Sequence, residues 1–270
     1  VLPRAVAGSA SANQTATIAG PALGGVLYLV SPTLVYALCA ALFVGAATLI
    51  ALIRVEQVAP KREKIDIASL FAGIDFIRRN PLILGATSLD MFAVLFAGAT
   101  ALLPIYAKDI FQVGPWGLGL MRAMPAAGAL LMAIAMARRP LRKNAGRKMF
   151  IAVALFGVAT MVFAVSTSFP ISLAALFAIG AADMVSVVVR QTLVQLQTPD
   201  AMLGRVISVN ALFVGTSNQL GEFESGTLAH FTGAVMAVFV GGAATLIVVA
   251  LWIKLFPQLL QVDDLQRRQP

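Results

Sequence analysis

The sequence predicts an all-α membrane protein, a polytopic bundle of helices. Hydrophobic residues make up 59% of the 270 residues and charged residues 12%, against roughly half and a quarter in soluble domains. Mean hydropathy is +0.89, and apolar runs long enough to cross a hydrocarbon core of ~30 Å recur along the whole chain. Eight runs predict eight transmembrane helices, over residues 5–30, 33–53, 81–106, 116–137, 149–167, 170–189, 206–229 and 234–254.

The net charge of +8 is distributed very unevenly between the loops. When alternate loops are assigned to one side of the membrane, all of the 20 lysines and arginines except Lys108 and Arg122 fall on that side or near it. Basic loops stay on the cytoplasmic side of membranes. The pattern therefore predicts cytoplasmic basic loops and a cytoplasmic C-terminal tail, and it assigns the basic excess to topology and anionic lipid rather than to nucleic acid.

Reactive side chains are few. Cys39 is the one cysteine, which excludes an internal disulfide and any multi-cysteine metal site. His230 is the one histidine and falls at an outer turn, where a surface role is expected. No zinc-protease pattern and no glycine-rich phosphate loop occurs. We therefore predict no enzyme, no cofactor and no metal site.

The first apolar run contains small residues around a proline, Ala16-Thr17-Ile18-Ala19-Gly20-Pro21-Ala22-Leu23-Gly24-Gly25. Ala16, Gly20 and Gly24 form a stripe at i, i+4 spacing, where a second backbone can approach closely. We expect Gly20, Pro21, Gly24 and Gly25 to act by packing rather than by direct contact with a ligand. The run also resembles the antiporter motif G-x-x-x-G-P-x-x-G-G in the fifth helix of major facilitator superfamily exporters, with Ala16 in place of the first glycine.

Several predicted helices carry ionisable groups, which are costly within a bilayer and usually functional. Asp90 lies in the third helix and Arg122 in the fourth, and we expect them to pair, with Arg122 reaching the outer interface alone as the alternative. Asp183 is the first candidate for proton coupling and Asp90 the second. Small neighbours beside Asp183 leave room for a ligand. The rival interpretation is a static pair between Asp183 and Arg190.

The seventh predicted helix is the most polar. Asn210, Ser217 and Glu224 fall on one stripe, and Asn218 and Glu222 on another. The two glutamates are two residues apart and therefore point to different sides. We list the coupling candidates of the chain as Asp183, Asp90, Arg122, Arg190, Glu222, Glu224, Asn218 and Asn210.

Two inner segments complete the pattern. Within residues 54–80, apolar residues at helical spacing predict a short amphipathic helix at the inner interface. The loop before the fifth helix ends in Gly146-Arg147-Lys148. It resembles the superfamily loop motif D-R-x-G-R-K, of which only these three residues remain, so a gate and a solvated basic loop are both open interpretations.

Three segments bring the chain closest to one branch of that superfamily: residues 90–104, 192–200 and 217–226. They resemble siderophore and macrolide exporters of the enterobactin-exporter or transmembrane secretion effector type. The resemblance aligns the eight helices with helices five to twelve of the family, so we expect a partial chain that lacks the first four. It implies a half-bundle fragment at 1–53, a cytoplasmic linker at 54–80, a six-helix half-bundle at 81–256 and a tail at 257–270.

The resemblance implies a secondary active transporter in the inner membrane, which exports a small amphipathic molecule (a siderophore, macrolide or other drug) by proton-coupled alternating access. The expected partners are the lipid bilayer, the substrate, protons and the missing N-terminal helices of the same protein. A non-transporting membrane scaffold or sensor is the alternative. Buried acids favour the transporter, and the direction of transport depends on the antiporter motif alone.

Overall fold

The computed structural model describes residues 16, 20, 23–25, 27–28, 30–52, 67–96, 98–138 and 144–262. The regular structure in this part of the chain is helical throughout, as predicted. Its helices are α1 (Pro32–Leu52), α2 (Ile67–Arg79), α3 (Pro81–Phe96), α4 (Ala99–Ile105), α5 (Gly114–Arg138), α6 (Ala145–Val165), α7 (Phe169–Gln197), α8 (Asp200–Thr232), α9 (Ala234–Leu255) and α10 (Pro257–Leu260). A π-helical turn, Tyr106–Ile110, follows α4.

Six stretches among the described residues are long and apolar enough to cross a membrane. They are α1, the stretch Pro81–Ile110, α5, α6, α7 and α9. The predicted run at 206–229 lies within α8, whose polar and acidic side chains set it apart from the six. The first predicted run lies mostly outside the described residues, although those described between 16 and 30 are helical. The all-α polytopic fold is therefore confirmed, and the total of eight spans stays a prediction.

Close contacts between small residues set the arrangement of the bundle. Helix α7 packs against α5 and α6, and α6 packs against α9. Between α5 and α7 the contact is reciprocal: Gly128 faces the carbonyl group of Phe177, and Gly180 faces that of Pro125. Gly157 of α6 and Gly242 of α9 meet in the same way. Within a bilayer, such small-residue contacts let van der Waals packing hold helices together.

The third predicted helix is broken in the structure. Helix α3 ends at Phe96 and α4 begins at Ala99. At the break, Gly98 lies against the carbonyl group of Gly221 in α8, where a Cβ atom could not fit. Interrupted helices at membrane depth occur where the backbone lines a cavity or is covered by protein. The break therefore places irregular backbone beside α8.

The predicted amphipathic helix is present as α2, and it packs on the first turns of α8. Ile77 is 2% exposed, whereas Phe71 is 64% exposed. A Cβ atom on Gly73 would lie 3.0 Å from the Val209 side chain. The contact face is thus centred on Gly73 and Ile77, because the small glycine lets α2 approach the α8 backbone.

The small-residue stripe predicted in the first run is not the contact face. A Cβ atom on Gly20 or Gly24 would meet no atom within 4 Å, and Ala16 is exposed. A Cβ atom on Gly25 would instead lie 2.7 Å from the Pro115 carbonyl oxygen and 3.0 Å from the Gly119 Cα atom. Of the residues predicted to pack, Gly25 therefore contacts α5 and Gly20 and Gly24 do not, while Pro21 lies outside the described residues.

Candidate functional site

A buried ion pair and a hydrogen bond beside it link three helices of the bundle. An Arg190 Nη2 atom on α7 lies 3.0 Å from Asp90 Oδ2 on α3, and the two side chains are 3% and 5% exposed. Arg190 Nη1 also donates a hydrogen bond to Asn210 Oδ1 on α8 (3.1 Å). The Ser186 hydroxyl group donates to Asp90 Oδ1 (3.3 Å). The cluster therefore joins α3, α7 and α8 through charged and polar side chains.

The expected pairing of Asp90 with Arg122 is wrong in this structure, and the rival pairing of Asp183 with Arg190 is not observed either. Asp90 pairs with Arg190, and neither Arg122 with Asp90 nor Asp183 with Arg190 is within ion-pair distance among the described residues. Depth explains the outcome: Asp90 lies about 13 Å from the start of α3 and Arg190 about 10 Å from the end of α7, at 1.5 Å per residue. Both of those helix ends lie on the same side of the bundle. Arg122 lies near the start of α5, and that helix end is on the opposite side of the bundle.

Asp183 borders a cavity of about 180 Å³ that is lined by residues of six helices, α3 to α8. Glu222 and Asn218 of α8 line the same cavity, as do the hydroxyl-bearing side chains of Thr100 and Thr160. The helix break at Gly98 and the backbone around Gly180 and Pro125 form part of its wall. The cavity therefore presents two carboxyl groups beside interrupted backbone, an arrangement that transporters use for substrates and coupling ions.

The cavity and the ion pair are neighbours. Asp183, Asp90 and Ser186 all border a second, very small space of about 10 Å³, roughly the size needed for one water molecule. Asp183 therefore stands between the cavity on one side and the Asp90–Arg190 pair on the other. No hydrogen bond or ion pair joins Asp183 to another described side chain.

The polar stripes of α8 divide as their spacing predicts. Asn218 and Glu222 line the cavity, whereas Asn210 reaches the ion pair. Ser217 is buried, and Glu224 accepts a hydrogen bond from the Ser225 hydroxyl group (3.4 Å). Glu222 and Glu224 therefore point in different directions, and Glu222 is the one that lines the cavity with Asp183.

A larger cavity of about 780 Å³ lies between α5 and the helical residues around Gly24. Gly24, Gly25 and Tyr28 line it on one side. Lys108 and Arg122 line it on the other. The glycines of the antiporter-like run thus border an open space, and Arg122 belongs to this cavity rather than to the buried ion pair.

The basic loop is anchored by its glycine. Gly146 is buried, and its backbone N–H donates to the Val262 carbonyl oxygen (3.1 Å). A Cβ atom there would overlap the Leu259 carbonyl group. Arg147 and Lys148 are exposed at the start of α6. Gly146 therefore holds the segment after α9 against α6, and its two basic neighbours face outward.

Three residues of this site escaped the sequence analysis. Ser186 lies three residues after Asp183 and four before Arg190, a helical spacing that could have identified it. Thr100 and Thr160 line the cavity, but hydroxyl groups recur throughout the helices and carry no signal of their own. Only the packing of α4 against α8 and of α6 against α7 brings these two threonines to the cavity at Asp183.

Buried charges at helix contacts and cavities along interrupted helices are features of membrane transporters. The profile of the Major Facilitator Superfamily matches residues 2–221. The chain belongs to that superfamily.

Curated relatives include the enterobactin exporters EntS of Escherichia coli O1:K1, Escherichia coli O157:H7 (strain EC4115) and Shigella boydii serotype 18. Each is 26% identical over 193 residues, which cover 69% of this chain and 44% of the relative. The chain thus spans about half the length of the curated relatives that it matches. The family match and the six long apolar helices together indicate a multi-pass membrane protein of a transporter family.

Proposed function

We propose that this protein is a proton-coupled exporter of a small amphipathic molecule, working by alternating access in the inner membrane with its C-terminus in the cytoplasm. The observation that carries the proposal is the position of Asp183, between a cavity and the buried Asp90–Arg190 pair. The names of the exporter relatives and the antiporter-like run support the direction of transport.

The charges of Asp90, Asp183 and Arg190 would balance if this cluster bound one proton. Asp90 and Asp183 can supply two negative charges, and Arg190 supplies one positive charge. An uncompensated charge is costly at membrane depth. One proton shared by the two carboxyl groups would make the cluster neutral. Asp183 is the member that borders the cavity, so it is the one through which a proton would enter and leave.

The same cluster can couple proton binding to a change of shape. Arg190 joins α7 to α3 through Asp90 and to α8 through Asn210. Its Nε atom is buried without a hydrogen-bond partner, so the guanidinium group has a donor available for a second carboxyl group. A proton on Asp90 would weaken the present pair and let Arg190 turn toward Asp183. That exchange would shift α3 relative to α7 and α8.

Asp183→Asn tests the coupling role. In vesicles of the full-length protein, this neutral isostere should stop the proton-driven accumulation of substrate against its gradient and leave substrate exchange across the membrane intact. A panel of siderophores and macrolides would supply the substrate. Asp75→Asn is the matched control, because Asp75 is an exposed acid on α2 and pairs only with Arg79.

Two results would count against the proposal. If Asp183→Asn still concentrates a substrate against its gradient, Asp183 is not the coupling acid. If the unmodified protein moves no compound of the panel under a proton gradient, the scaffold or sensor interpretation gains support.

A further inference from the structure

The cavity of about 780 Å³ beside α5 is lined by Lys108 and Arg122, the two basic residues that do not follow the charge pattern of the loops. All other lysines and arginines fall toward the predicted cytoplasmic side. Lys108 is placed by the π-helical turn before α5, and Arg122 lies about two turns into α5. Although they are 14 positions apart in sequence, both side chains line the same cavity.

The lining of this cavity has one sign of charge. Lys108 and Arg122 are its ionisable basic residues, and none of the described residues that line it is acidic. Neither side chain forms an ion pair with a described acid. An arginine within an apolar helix is costly unless it meets water or an anion. The cavity is therefore a place where an anionic group would be stabilised.

The rest of the lining is apolar or aromatic. Leu118 and Pro104 lie beside Tyr28, which supplies an aromatic ring. The volume falls within the roughly 300–1,000 Å³ of typical small-molecule sites, which combine apolar walls with a few charged or polar groups. This lining contrasts with that of the cavity at Asp183, which contains two acids and no base among its described residues.

We propose that this cavity binds an anionic amphiphile, with its acidic head group at Lys108 and Arg122 and its apolar part along Tyr28 and Leu118. That the bound anion is the transported molecule rests on the proposed function, whereas the binding of an anion does not. A transported acid and the head group of an anionic lipid share this chemistry. The anion site and the acid-lined cavity would then be separate, so that substrate and proton occupy different places.

The test is equilibrium binding without a proton gradient, so its failure is distinguishable from a failure of proton coupling. Full-length protein in phosphatidylcholine nanodiscs is titrated with dansyl-labelled undecanoic acid and, in parallel, with its uncharged methyl ester. The acid should bind more tightly than the ester. Arg122→Gln should weaken acid binding by about tenfold, a loss of about 1.4 kcal/mol, and leave ester binding unchanged.

Lys254→Gln is the matched control, because Lys254 is an exposed cation at the far end of α9 and does not line the cavity. Gly24→Leu provides a second variant that does not alter charge. A Cβ atom at Gly24 would meet no atom within 4 Å, and the residue borders the cavity. The leucine side chain of the Gly24→Leu variant should therefore fill part of the cavity and weaken the binding of acid and ester alike.

Nanodiscs with added phosphatidylglycerol separate the two sources of the anion. Displacement of the probe by phosphatidylglycerol but not by dissolved acids would identify a lipid head-group site. Displacement by a dissolved acidic siderophore in phosphatidylcholine would identify a cargo site. Equal affinity for acid and ester, or unchanged acid affinity in both Arg122→Gln and Gly24→Leu, would overturn the proposal.

Discussion

At the scale of single residues, Arg190 connects its own helix to two others. It is 2% exposed and holds contacts to two other helices. A buried ion pair contributes little net stability when compared with apolar residues, because both charges must be removed from water. Removing one partner alone is a different matter, since the other charge is then buried without compensation.

Arg190→Gln should therefore destabilise the bundle by about 3 kcal/mol, with a lower midpoint of thermal unfolding in detergent. Asp90→Asn combined with Arg190→Gln should be more stable than the sum of the two single changes, because no uncompensated charge remains. Fluorescence-detected size-exclusion chromatography after heating supplies the midpoints.

The exposed pair Asp75–Arg79 is the control for that cycle. Its side chains are 58% and 78% exposed, at a distance of 2.9 Å. A solvent-exposed pair contributes about 0–1 kcal/mol, so Asp75→Asn and Arg79→Gln should leave the midpoint nearly unchanged. If the buried pair behaves like this exposed pair, then Arg190 and Asp90 do not depend on each other.

At the scale of helices, the contact between α5 and α7 depends on two glycines. Gly180 and Gly128 each face a carbonyl group of the opposite helix, with no room for a Cβ atom. The contact also sets the cavity wall, because Gly180 and Pro125 line it together with Asp183. The close packing of α5 and α7 therefore also determines the shape of the cavity.

Gly180→Ala should lower the unfolding midpoint, because the added methyl group overlaps the Pro125 backbone and separates the helices, at a cost of about 1–3 kcal/mol. Gly215→Ala is the matched control within a helix, since a Cβ atom there would meet nothing within 4 Å. Alanine is the better helix former, so Gly215→Ala should be neutral or slightly stabilising. Equal midpoints for both variants would contradict close packing of α5 and α7.

At the scale of the whole molecule, the short connections make consecutive helices antiparallel. Only three residues separate α6 from α7, two separate α7 from α8, and one separates α8 from α9. The order of the helices therefore places Gln112 and Lys148 on opposite sides of a membrane, at the two ends of the stretch that contains α5. The charge pattern assigns the Lys148 side to the cytoplasm.

Cysteine labelling tests that assignment in spheroplasts, in a Cys39→Ala background that removes the one native cysteine. Gln112→Cys should react with a membrane-impermeant maleimide from outside, because residue 112 is exposed just before α5. Lys148→Cys should react only after the membrane is permeabilised. The reverse labelling pattern would invert the topology.

The sequence by itself determined the class of the protein, the approximate bounds of most helices and the set of charged residues within them. Length and hydropathy decide whether a segment crosses a membrane, and these are local properties. The resemblance to the superfamily, carried by the glycine-proline run and three other segments, also needed no structure.

The tertiary structure decided which charges meet and which glycines pack. Sequence reasoning paired Asp90 with Arg122, but helix direction places Arg190 at the depth of Asp90 and leaves Arg122 at the cavity of about 780 Å³ beside α5. It assigned close packing to Gly20, Pro21, Gly24 and Gly25, whereas among the described residues of that set Gly25 alone contacts α5. Neighbouring positions on a helix differ by 100° in direction, so a small error in rotation moves a side chain from a contact to a cavity. Those rotations depend on how all the helices pack together, which no single segment encodes.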